Sequence, residues 1–322
     1  MGTSLGWGGR GRAVGQHAGK RARWEGLRYA GAMRMRDMAL AALVSVVWGF
    51  GFVTIKLGLA SFSAPQLTFL RFLIASLPAL FVPRPQLPWR TILLIGLTLF
   101  TGQFLLLFLA ISLGLPPGVA SVTQQMQVFF TVLLAAIFLR EAPRPNETCG
   151  MAIAFAGLAL IGLTVGVDFA LPSLALALAA AMSWAIGNVL LKRVRGVPIF
   201  PLVVWASLVP PLPALALSLF LDRDADLIGA VGQASWLSLA AAAYLGLLAN
   251  LWAYAGWGRL LQRYPAAAVA PFALLAPCTG VLASAAIFGE AFTATRYAGM
   301  ALILAGLVVV VLPTPWRRRR AR

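Results

Sequence analysis

Arg71 is a lone charge in the apolar run LTFLRFLIASL, about six residues, or roughly 9 Å of helix, inside its block. A guanidinium at that depth is costly unless water, a protein partner or a ligand meets it. Two readings stand: a counter-ion for the carboxylate of a bound solute, or a snorkelling arginine that bonds helix ends and holds the fold. Amides sit in other apolar blocks, where they too need partners or a wet cavity: Gln103, Gln124, Gln125, Gln127, Asn188 and Asn250. On helical spacing Ser121, Gln124 and Gln125 share one face, and Asn250, Tyr254 and Trp257 share another.

Trp48, Phe52 and Lys56 fall at i, i+4 and i+8, as do Trp184, Asn188 and Lys192, so each trio forms one helical stripe. The stripes read as an aromatic and polar wall beside a path, or as tryptophan packing with lysines snorkelling at span ends. For Lys56 and Lys192 snorkelling is the expectation. The residues expected to bind a solute are Arg71, Gln103, Gln125, Asn188, Trp48, Trp184, Asn250 and Tyr254. The competing use of the amides is interhelical hydrogen bonding that only holds a bundle.

Glu141 and Glu290 close apolar blocks and are expected to be structural, solvated or paired with nearby arginine, rather than to carry protons. The sole histidine is His17, no HExxH or P-loop GxxxxGKS/T occurs, and Cys149 and Cys278 are too few for a disulfide or metal framework. No catalytic, metal or cofactor site is expected. An enzyme working inside the bilayer therefore lacks its ingredients, and direct drive by ATP lacks its motif. Composition alone leaves a receptor or scaffold open.

The elements that position these side chains follow from composition. Of 322 residues 61% are apolar and 11% charged, where a soluble domain carries about a quarter charged residues. The apolar blocks, about 20 residues long, can cross a bilayer. Ten spans are expected, at 38–56, 65–82, 91–113, 118–139, 149–167, 171–191, 201–221, 236–258, 267–288 and 297–312. The fold class is all-α and integral to the membrane. Prolines 210, 211, 213, 271 and 277 are expected to kink the seventh and ninth spans.

Orientation follows from the basic residues. With the N-terminus inside, 22 of the 26 Lys and Arg fall on the cytoplasmic side and only Arg223 and Arg296 on the other. Both termini are then cytoplasmic. Residues 1–37 read as a disordered basic tail, with Met33 and Met35 as alternative starts to Met1, and 313–322 as an Arg-rich tail. Much of the net charge of +17 lies in those tails, which points to anionic lipid rather than nucleic acid.

The chain also repeats itself. WGFGFVTIK at Trp48 recurs as WAIGNVLLK at Trp184, an offset of 136. At an offset of 149, Pro116 matches Pro265, Glu141 matches Glu290, and GMAIAFAGL from Gly150 matches GMALILAGL from Gly299. The halves are 38–167 and 171–312, five helices each. Because five is odd, consecutive copies enter the membrane from opposite sides and form an inverted repeat, the architecture that lets one central site face either side. Gly150, Gly157, Gly299 and Gly306 are expected to pack the fifth span closely on the tenth.

These motifs resemble the drug/metabolite transporter superfamily of EamA type over about residues 35–312, through VVWGFGFVTIKLGL, LTFLRF, GVAS, QMQVFFT, FLRE, SWAIGN, RLLQRYPAAAVAP and IFGE. The resemblance implies a secondary transporter in a bacterial inner membrane that exports small amino-acid metabolites, of the cysteine and O-acetylserine kind, by alternating access. A drug or other metabolite permease of the same fold is the alternative. Proton coupling and a homodimer stay open.

Overall fold

A computed structural model describes residues 33–115, 120, 123–163, 171–194, 196–222, 226–289 and 293–311. The tail before residue 33, the end after 311, the link at 164–170, and Pro116, Gly118, Ser121, Arg195, Arg223 and Glu290 lie outside them. Each apolar block forms a helix: α1 Met35–Gly58, α2 Ala64–Leu80, α3 Trp89–Ile111, α4 Met126–Leu139 and α5 Pro145–Gly162 make the first half. The second half contains α6 Leu171–Arg193, α7 Ile199–Leu221, α8 Trp236–Arg263, α9 Ala266–Phe288 and α10 Ala294–Val311. Among the described residues there is no strand. Seven of these helices are long and apolar enough to cross a membrane, while α2 and α4 are shorter and α5 carries Asn146, Glu147 and Thr148 in its first turn.

Local chemistry sets the helix ends. Before α2, Ser63 and Gln66 form a capping box: the Ser63 hydroxyl accepts from the Gln66 amide at 3.3 Å, and the Gln66 side chain accepts from the Ser63 amide at 3.0 Å. Pro65 adds a preset φ at the first turn. Before α5, Glu147 accepts from the Arg144 amide at 2.6 Å. α4 and α9 both end in the left-handed region, at Arg140 (φ 55°) and Gly289 (φ 67°), positions 149 apart in the sequence. Glycine takes that conformation freely, whereas Arg140 bears a cost of about 1–2 kcal/mol.

Helix pairing respects the duplication. α1 packs on α9 as α6 packs on α4, α3 packs on α6 as α8 packs on α1, and α2 meets α7 as α5 meets α10. Exchanging the halves turns this set of pairs into itself. α5 and α10 run antiparallel, because Gly150 lies against Gly306 and Gly157 against Gly299. The approach is close enough that a Cβ on Gly150 would stand 2.5 Å from the Gly306 carbonyl oxygen, which is what small residues permit in a lipid-facing bundle.

Some details were not legible in the periodicity. α3 and α8 each contain a π-helical stretch, Gly96–Gly102 and Leu245–Trp252, at equivalent places in the two halves. Gly96 there meets the Ala206 carbonyl of α7, and Gly246 meets the Arg71 carbonyl of α2. Interruptions fall at Pro210, Pro211 and Pro271, and none at Pro277, which lies within the continuous stretch Leu275–Phe288. α7 is interrupted between Ala206 and Pro211, and α9 tightens to a 3-10 turn at Ala270–Leu274 around Pro271. Between α7 and α8, Asp226 caps a short helix, Leu227–Gln233, by accepting from the Gly229 amide at 2.9 Å.

Candidate functional site

A cavity of about 180 Å³ lies between the halves. α1 contributes Trp48, Gly51 and Phe52, α2 Thr68 and Arg71, and α3 Gln103, Phe104 and Phe108. Gln124 and Gln125 at the start of α4, Gln127 within it, Trp184 of α6, Tyr254 of α8 and Ala273 and Ala276 of α9 complete the wall. The cavity extends to Leu59 and Leu67, where α1 ends and α2 begins.

Arg71 is 6% exposed and is the one charged residue among the described residues that line the cavity. Its guanidinium carbon stands 4.4 Å from the Phe104 ring centroid and 5.1 Å from that of Phe72, so flat aromatic faces hold the fork. Its Nε has no hydrogen-bond partner among the described residues. The side-chain oxygens of Gln124, Gln125 and Gln127 are likewise buried without a donor, although the Gln124 amide nitrogen donates to the Ala177 carbonyl at 3.4 Å. Buried polar atoms left in this way are costly, by about 1–3 kcal/mol each, until water or a ligand reaches them.

Other lining residues form a hydrogen-bonded network. Trp184 Nε1 donates to the Tyr254 hydroxyl at 3.2 Å, which donates to Gln103 Oε1 at 3.3 Å. Trp48 Nε1 donates at 2.9 Å to the Ala249 carbonyl, which lies in the π-helical stretch of α8, where the widened ladder leaves room for an outside donor. Trp48 also packs on Tyr254 and Trp257 at 5.1 and 5.0 Å between centroids. The π-helical stretches therefore sit directly before the polar residues they present, Gln103 on α3 and Tyr254 on α8.

Of the eight residues expected to bind a solute, the fold brings Arg71, Gln103, Gln125, Trp48, Trp184 and Tyr254 to this cavity. It does not bring Asn188 or Asn250. Asn188 donates to Thr131 Oγ1 and accepts from Trp257 Nε1, both at 3.2 Å, tying α4, α6 and α8 together. Asn250 donates to Ser207 Oγ at 3.0 Å, at the break in α7. Gln124 and Gln127, named among the amides that need a partner or a wet cavity, also line it, whereas Phe104 and Thr68 had no place in the sequence reading, yet signals existed: Thr68 precedes Arg71 by one helical turn, and Phe104 adjoins Gln103.

Lys192 departs from its expectation. It does not snorkel but is buried, 3.1 Å from Glu141, and donates to the Leu261 carbonyl at 2.9 Å and to the Tyr264 carbonyl. Glu141 was expected to be solvated or to pair with arginine; instead it holds Lys192 and accepts from the Ala266 amide at 3.1 Å. This one pair joins the ends of α4, α6 and α8 to the start of α9. Beside it Asp37 accepts from the Tyr264 hydroxyl at 2.5 Å and meets Arg263 at 3.4 Å. Burial, then the bond to Asp37, raises the Tyr264 pKa above its ordinary value. Lys56 stands over the Phe288 ring, 4.0 Å from its centroid.

Residues 35–163 and 171–312 each match the EamA-like transporter family, and the chain belongs to that family. It is 38% identical to a probable amino-acid metabolite efflux pump of Escherichia coli (strain K12), over 89% of this chain and 98% of that protein. It is 28% identical to a probable terminal-alkyne amino-acid exporter of Streptantibioticus cattleyicolor, over 90% of this chain and 98% of that protein. A crystal structure with 20% identity superposes at a TM-score of 0.74 over 87% of this chain and 99% of the other, which shows the shared fold. The protein is a multi-pass membrane transporter and not an enzyme.

Proposed function

We propose that this transporter exports small amino-acid metabolites by alternating access, with Arg71 holding the solute carboxylate. The observation that carries the reading is the buried Arg71 guanidinium in the inter-repeat cavity, its Nε without a partner among the described residues. The efflux pump and exporter to which the chain is similar supply the solute class. The cavity of about 180 Å³ has room for a small solute, being well above the space of about 10–15 Å³ that a single water needs by the same measure.

The two halves form an inverted repeat in a bacterial inner membrane with both termini cytoplasmic, and the 22 to 2 division of basic residues supports that orientation. The Glu141–Lys192 pair then closes the cytoplasmic end while the cavity extends toward the outer one. The basic tails face anionic lipid. Drive comes from an ion gradient or from the solute gradient itself. Overexpression tests the export claim: medium concentrations of amino-acid metabolites should rise, and the rise should vanish with Arg71→Ala at equal membrane abundance. Unchanged medium levels across a broad metabolite panel would overturn it.

A further inference from the structure

We infer that the cavity reads its solute at two poles, and that the side-chain oxygens of Gln124, Gln125 and Gln127 receive a free α-ammonium group. The inference rests on the reading of this cavity as the solute site. Its own ground is the inventory of unpartnered atoms: a donor on Arg71, and three acceptors on one short stretch at the start of α4. Acceptors in that number call for a ligand rich in donors, and an ammonium group brings three N–H bonds in a tripod. Hydrogen bonds from a cation are also the stronger kind.

The choice of amides over carboxylates is itself informative. An Asp or Glu facing the cavity would pair with Arg71 and leave the site self-satisfied; among the described lining residues there is none. Neutral acceptors can hold a cation without neutralising Arg71, which stays available for the carboxylate. A zwitterion fits this pair of poles with no net charge. A sugar or polyol supplies donors for the glutamines but no anion for Arg71, and a hydroxy acid supplies the anion but one hydroxyl donor in place of three. Sites built around buried hydrogen-bonding groups discriminate strongly against analogues that lack the matching group.

The test is flux through proteoliposomes holding the full chain, with L-serine, L-cysteine, glycerate and N-acetyl-L-serine as probes. Serine should move at least tenfold faster than glycerate or N-acetylserine, and Gln125→Leu should shrink that ratio several-fold by slowing serine alone. Should Gln125→Leu fail to reach the membrane, Gln127→Leu reads the same ratio. Equal flux of serine and glycerate through the unaltered protein would overturn the ammonium pole and leave the carboxylate reading standing. A ratio unchanged in both variants would overturn the assignment to the glutamines. No flux of any probe would overturn this inference together with the reading it rests on.

Discussion

Trp48 and Trp184, the equivalent residues of the two halves, meet edge to face with ring centroids 6.2 Å apart. Each also donates its indole N–H to α8, Trp48 to the Ala249 carbonyl and Trp184 to the Tyr254 hydroxyl. The duplication therefore places its paired tryptophans against one another at the cavity wall. Tyr254→Phe keeps the ring and removes only the hydroxyl, so the chain from Trp184 through Tyr254 to Gln103 loses its middle link. A typical hydrogen bond contributes about 1 kcal/mol, so the half-saturation concentration should rise by about fivefold at unchanged membrane abundance, read from transport kinetics beside a quantified blot.

Glu141 and Lys192 give a stability prediction. Glu141→Ala removes the carboxylate 3.1 Å from the buried Lys192 ammonium, and breaking a buried pair in this way costs about 3–5 kcal/mol. Thermal unfolding in detergent should shift down sharply for Glu141→Ala. The double variant Glu141→Gln with Lys192→Met should recover most of the loss, because neither uncompensated charge then remains.

The α5–α10 seam gives a second. Gly157→Leu inserts a side chain where the Gly299 carbonyl, the Leu302 Cβ and the Ile303 amide nitrogen of α10 already stand. Overpacking of this kind costs about 1–3 kcal/mol, so membrane abundance should fall. The serine to glycerate flux ratio of the surviving protein should be unchanged, since neither helix lines the cavity.

How much of this was legible in the sequence varies by residue. The ten helices and the Gly150, Gly157, Gly299 and Gly306 contact follow from apolar run length and a repeated motif. Arg71 was legible because a charge inside an apolar run has few bland explanations. Asn188 and Gln125 look alike in sequence, and only the helix rotation separates them: Asn188 meets Thr131 and Trp257, while Gln125 faces the cavity. Lys192 could not be read, because whether a lysine near a span end snorkels or turns inward depends on a carboxylate brought from another helix. The π-helical stretches carry no periodicity signal at all; they arise where α3 and α8 accommodate their neighbours.

Orientation is tested by labelling. With Cys149 and Cys278 replaced by serine, Arg193→Cys places an accessible thiol at the end of α6. An impermeant maleimide should leave it unmodified in intact cells and modify it in inverted vesicles. Modification in intact cells would reverse the orientation and place the Glu141–Lys192 pair outside.

The most direct measurement of carboxylate recognition at Arg71 is the flux of L-serine against L-serinamide in proteoliposomes, for the unaltered protein and for Arg71→Met. Serine should exceed serinamide by at least tenfold in the unaltered protein, and Arg71→Met should abolish that preference by slowing serine far more than serinamide. Equal slowing of both solutes would show that Arg71 supports the fold and takes no part in recognising the solute.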